Sequence, residues 1–170
     1  MVRGFTERST RFRPSSKEEH VVQKAQEHCE RTLINIQGEL AGSVAALEHP
    51  RHEEALNYGE IFLRDNVPVM IYLLLQGRYA IVRQFLSVCL DLQSTSVQTR
   101  GVFPTSFVEE GNELVADYGQ RSIGRITSVD ASLWWPILCW IYVKRSGDKE
   151  FGRSQEVQRG LHLLLSLIHI

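Results

Sequence analysis

The sequence predicts a mainly α protein built from helical hairpins, with a short β-hairpin and irregular insert at about 94–130. Three observations carry this. Apolar residues recur every three or four positions over most of the chain, a period that lines one face of a helix. Single glycines interrupt those stretches with almost no linker, so neighbouring helices must fold back on each other. Residues 94–130 lose the period and hold four of the twelve glycines.

The first helix starts at Pro14-Ser15-Ser16-Lys17-Glu18-Glu19, where Ser15 or Ser16 can cap and Glu18 or Glu19 stands at capping-box spacing. Val22, Ala25, Cys29, Leu33, Ile36, Leu40, Val44 and Leu47 then predict one long helix, weakened at Gly38 and Gly42. His49-Pro50-Arg51-His52 closes it. A second helix is expected from about Asp65 to Gln76, with Gly77 as its stop, and a third from Arg78 to about Leu92. In the insert, 101–108 and 113–116 read as extended pieces around a Glu110-Gly111-Asn112 turn. Helices resume at about Ser132 to Lys144, with Pro136 in or just after the first turn. They turn at Ser146-Gly147-Asp148, and a last helix begins near Ser154. The apolar stretch 161–170 carries no stop signal, which suggests a truncated chain whose remainder covers that face.

Length and composition fit one globular domain: 170 residues, 43% hydrophobic, 23% charged, net charge −1. So balanced a charge offers no field for phosphates, which argues against nucleic acid and anionic membranes as partners. The apolar stretch at 161–170 is too short to span a bilayer. Three cysteines, Cys29, Cys89 and Cys139, form no C-x-x-C pair, and each falls on an apolar stripe as a small hydrophobe. Free thiols fit a reducing, cytoplasmic setting. Residues 1–16 carry Arg3, Arg8, Arg11 and Arg13 against one acid, Glu7, and read as a disordered basic tail or the start of a transit peptide. Residues 17–170 then form the domain proper.

Two polar clusters interrupt the apolar pattern. Arg64 and Asp65 split the run between Ile61 and Val67, and neighbours on a helix do not face each other. Asp65 is either an N-cap with Pro68 in the first turn, or a ligand-binding group. Asp130 precedes a helix that opens with Trp134-Trp135. It is either that helix's cap or a carboxyl held against indole rings, the desolvated setting in which a general acid keeps its proton. The glycine spacing at 119–125 imitates a P-loop but lacks its Lys and Ser/Thr. The six histidines show no metal-ligand spacing.

Taken together, several blocks resemble one family. Residues 56–68 (LNYGEIFLRDNVP), 101–107 (GVFPTSF), 116–125 (ADYGQRSIGR) and 129–135 (VDASLWW) are similar, in order and spacing, to motifs of the neutral/alkaline invertases. The likeness runs from about Gly42 to residue 167. It implies about half of an (α/α)6 barrel and hydrolysis of the α-1,2 bond of sucrose to glucose and fructose. The reaction proceeds with inversion and needs no metal or cofactor, and the full-length protein is expected to be a homo-oligomer. Inversion uses an acid on the leaving oxygen and a base for water, roughly 6.5–9.5 Å apart. By position Asp130 is the acid. Tyr58, Arg64, Asp65, Gln93, Arg125 and Trp134 are the candidates for sugar hydroxyls and stacking. The family's base is a Glu far towards the C-terminus, which predicts that this stretch alone is inactive. Gly59-Glu60 stands where the family commonly has Asp-Gln, and Pro136 where an aliphatic residue is usual. Another helical-barrel sugar enzyme, or a non-catalytic helical scaffold, are the alternatives.

Overall fold

A computed structural model describes residues 15–44, 59–111, 113–120 and 130–168, with the side chain of the last one excepted. Among them the chain is mainly helical, with two small antiparallel sheets. Residues 1–14 of the tail expected at 1–16, the turn at 49–52 and residues 121–129 lie outside the described residues, whereas Ser15 and Ser16 belong to the start of the first helix.

Helix α1 (Ser16–Thr32) opens as expected: Glu18 N–H donates to Ser15 Oγ and Ser15 N–H to Glu18 Oε2, a complete capping box. It does not continue to Leu47. It ends at Thr32, and strands β1 (Leu33–Ile36) and β2 (Glu39–Ser43) form a hairpin. The β-branched residues around Asn35 favour a strand. The turn at Gln37-Gly38 takes positive φ at both positions, 53° and 85°. That geometry matches the right-handed twist of paired strands and ends a helix. Apolar spacing alone did not separate the two outcomes, because Leu33, Ile36 and Leu40 serve either. Helix α1 itself has no buried residue, so Cys29 is only half-buried whereas Cys89 and Cys139 are core.

Strand β3 (Ile61–Phe62) runs directly into α2 (Leu63–Leu75), and the Leu63 N–H is taken by the Thr105 carbonyl at 3.0 Å. The helix therefore starts two residues before Asp65, with Phe62 at the cap position. Pro68 is its sixth residue, past the first turn. After Gly77, α3 (Tyr79–Asp91) folds back on α2 as expected. Strands β4 (Ser106–Glu110) and β5 (Glu113–Asp117) pair in register around the expected turn, and β4 also pairs with β3, giving the order β3-β4-β5.

Helix α4 (Ala131–Ser146) lies against both α2 and α3. It begins a residue earlier than expected, which puts Pro136 at its sixth position, one residue deeper than the sequence suggested. It stops at Gly147, and α6 (Gln155–Ile168) follows. Between them a short helix, α5 (Lys149–Arg153), is capped by Asp148, whose Oδ1 accepts the Phe151 N–H at 3.0 Å. Its five residues are too few to show a period. The core lies between α2, α3 and α4, around Met70, Leu73, Phe85, Leu86 and Leu138. Trp135 is its largest member, stacked on Phe103 with ring centroids 4.6 Å apart and donating Nε1–H to the Leu86 carbonyl.

Candidate functional site

The core fixes the faces of α2 and α4 and so decides what they leave over. On α2 the face made by Leu63, Val67, Met70 and Leu74 is buried, which turns Arg64, Pro68 and Ile71, spaced by four and three residues, to its flank. On α4 the burial of Trp135 and Leu138 turns Trp134 outward, one turn on from Asp130. Those two flanks enclose a cleft of about 540 Å³ bordered by Arg64, Asp65, Pro68, Ile71, Asp130 and Trp134.

Asp130 does not cap α4; its side chain makes no cap hydrogen bond. Its Oδ2 instead accepts from Trp134 Nε1–H at 3.4 Å, and its Oδ1 lies 3.6 Å from Arg64 Nη1. Arg64 Nε also reaches Asp65 Oδ1 at 3.4 Å. The three charged side chains are about half exposed, at 49%, 53% and 61% for Asp130, Arg64 and Asp65. Ion pairs that open to water contribute little to folding. Folding alone gives no reason for this arrangement.

Of the two indoles expected beside Asp130, only Trp134 is there. Consecutive helical residues point about 100° apart, and Trp135 belongs to the core. Gln93 does not border the cleft. Its Nε2 donates to the carbonyls of Gly101 and Gly160, both at 2.9 Å, and ties the loop after α3 to α6. Tyr58 and Arg125 lie outside the described residues.

One contact beside the cleft was not legible from the residues. Ser106, fully buried on β4, donates Oγ–H to Glu60 Oε2 at 2.5 Å. The partners are 46 positions apart, and the only sequence signal was that Glu60 departs from the family's usual Gln.

In chemical terms the cleft has an apolar wall of Trp134, Pro68 and Ile71, with two carboxylates and a guanidinium at one end. A pyranose has the same division, an apolar ring face and a rim of hydroxyls. A carboxyl at hydrogen-bond reach of such a ring can move a proton.

A family model described as alkaline and neutral invertase matches residues 25–170. The chain is 36% identical over 159 residues to the alkaline/neutral invertase CINV2 of Arabidopsis thaliana, covering 86% of this chain and 28% of that protein. It is 38% identical over 159 residues to cytosolic invertase 1 of Oryza sativa subsp. japonica, with 86% and 28% covered. It is 36% identical over 154 residues to a mitochondrial neutral/alkaline invertase 1 of the same species, with 81% and 24% covered. The chain thus spans between 24% and 28% of the length of these relatives.

Proposed function

The chain belongs to the alkaline and neutral invertase family, and from that we propose that its cleft is the proton-donor side of a sucrose-hydrolysing site. Asp130 hands a proton to the oxygen leaving the α-1,2 bond. Trp134 supports the apolar face of a ring, and Arg64 and Asp65 take its hydroxyls. The observation that carries this is the meeting of Asp130, Arg64 and Trp134 on one cleft from two separate helices.

A proton donor must stay protonated near neutrality, and burial is the usual means. Asp130 is half exposed among the described residues, so the proposal requires bound sugar and further protein to close over it. We place residues 17–170 as the first part of an (α/α)6-barrel catalytic domain. Helix α4 supports this: besides its buried side it exposes Leu133, Ile137 and Trp140. A helix that is apolar on all sides belongs inside a bundle. The inverting base, by family resemblance a Glu late in the chain, is not among these residues, and the 170-residue polypeptide alone is expected to be inactive. The relatives include proteins named cytosolic, mitochondrial and chloroplastic, so family membership does not fix the compartment.

The test is sucrose hydrolysis by a full-length form carrying these residues, with the anomer released at the attacked carbon read by NMR before mutarotation. Inverted configuration, and a fall in kcat of about 10²–10⁴-fold in Asp130→Asn with unchanged melting, are expected. Full activity in that variant would remove Asp130 from the mechanism.

A further inference from the structure

A single guanidinium stands between two carboxylates at the polar end of the cleft. Arg64 Nε donates to Asp65 Oδ1 at 3.4 Å, while Arg64 Nη1 lies 3.6 Å from Asp130 Oδ1. The first contact is a hydrogen bond, the second an ion pair alone. Among the described residues these three are the charged groups bordering the cleft, and Val67, Pro68, Ile71 and Trp134 complete it without charge.

The balance of charge among the three decides which form of Asp130 a closed cleft prefers. Open to water, each of them is screened. Once bound sugar and further protein exclude water, charges act more strongly and an unbalanced one becomes costly. With all three present, a protonated Asp130 leaves a neutral Arg64–Asp65 pair, whereas an ionised Asp130 leaves one uncompensated negative charge. Closure then favours the proton. Without the charge on Asp65 the balance reverses: an ionised Asp130 would neutralise Arg64, and a protonated one would strand a buried cation. A lone guanidinium favours the carboxylate beside it, the wrong form for a proton donor.

We propose that Asp65 is a positioning residue for the proton donor: it holds and neutralises Arg64, so that closing the cleft keeps the proton on Asp130. This rests on the acid role of Asp130 proposed above. Asp65 acts here through Arg64 and through its own negative charge, apart from any hydroxyl it accepts.

The test is the pH profile of kcat at saturating sucrose in a full-length form, where the alkaline limb reports loss of the donor's proton in the complex. Asp65→Asn keeps the side chain's shape and removes its charge, and should move that limb down by about one pH unit. Arg64→Gln removes the cation and should move it up by a similar amount. With both charges gone the balance is again that of the starting protein. The double variant should therefore return the limb to within about 0.3 unit of its first position and turn over about threefold faster than Asp65→Asn. Should Asp65→Asn prove too slow for a profile, that recovery decides the matter. A residue that only contacts sugar hydroxyls would raise KM and leave the limb in place. A limb unmoved in either single variant, limbs moved in the same direction, or a double variant no faster than Asp65→Asn would overturn the assignment. Any of these results, together with loss of turnover in Asp130→Asn, removes only this inference. Full turnover in Asp130→Asn removes the acid role itself.

Discussion

The side-chain amide of Asn66 meets both backbone groups of Ser43: Oδ1 accepts the Ser43 N–H and Nδ2 donates to the Ser43 carbonyl, each at 2.8 Å. In effect α2 lends β2 one rung of a neighbouring strand. Nδ2 also reaches the Phe62 carbonyl at 2.9 Å, and Asn66 is only 2% exposed. Ser43 in turn holds Thr32 at the end of α1. One residue therefore anchors the N-terminal hairpin to the helix that carries Arg64 and Asp65.

Replacing Asn66 by Ala should leave those three backbone groups without their partner in a buried place. A buried unsatisfied group costs about 1–3 kcal/mol, so Asn66→Ala should destabilise the protein by about 3 kcal/mol or more, read as a lower urea midpoint. Asn66→Asp retains an acceptor for Ser43 N–H but loses the donor, and should not restore stability. A midpoint unchanged in Asn66→Ala would mean that the hairpin is not held this way.

Trp134 plays two parts that can be separated, since its ring borders the cleft while its Nε1–H donates to Asp130 Oδ2. Trp134→Phe keeps an aromatic face and removes the donor. Trp134→Ala removes both. Stacking is worth about 1 kcal/mol, so KM for sucrose should rise about fivefold in Trp134→Ala and stay near the starting value in Trp134→Phe. A fall in kcat shared by both variants would report the lost hydrogen bond. Steady-state kinetics on a full-length form decide between them.

How far the residues foretold this can be judged from particular elements. The α2–α3 hairpin was legible because Gly77 and two strong apolar faces agreed. The β4–β5 hairpin was legible from its turn residues and from the loss of the helical period. The stop of α1 was not, because Leu33, Ile36 and Leu40 satisfy helical spacing while folding as strands. Only the β-branched run before Gly38 pointed the other way. At the site, helical geometry already required that Trp134 and Trp135 diverge, but which one faced the cleft depended on α3 and Phe103, which are distant in sequence. Glu60 with Ser106, and Gln93 with Gly160, are long-range pairs with no local signal.

Gly101 sits at φ +93°, and a Cβ added there would lie 2.7 Å from the Leu163 carbonyl oxygen. Its own carbonyl accepts from Gln93. Backbone meets backbone at this point, so neither side has a flexible end to move. Gly101→Ala combines an unfavourable φ with a clash and should cost about 2–4 kcal/mol. Gly111→Ala has a similar positive φ, +67°, but open space around the added carbon, and should cost about 1 kcal/mol. Urea denaturation of the two variants side by side separates strain from contact. Equal losses would show that the approach of α6 to this loop does not matter.

The far end of α4 gives a pH signature unrelated to the cleft. Asp148 accepts from the Phe151 N–H at 3.0 Å and the Tyr142 hydroxyl at 2.8 Å, with Arg83 Nε at 3.7 Å. The Phe151 amide first, then the Tyr142 hydroxyl, hold its carboxyl below the ordinary value. A depressed carboxyl adds stability above its unfolded pKa, about 3.9, which is lost as pH falls through the folded value. Tyr142 is pushed up to about 12, by burial first and by Asp148 second. A raised phenol adds stability below its unfolded pKa, about 10, which is lost as pH rises towards 12. Stability measured by urea across pH should therefore fall at both ends. Asp148→Asn should flatten the acid limb below about pH 4. Tyr142→Phe should remove the loss between about pH 10 and 12, at a cost near neutrality of about 1 kcal/mol. Curves parallel to that of the unsubstituted protein would mean that this pair does not govern either limb.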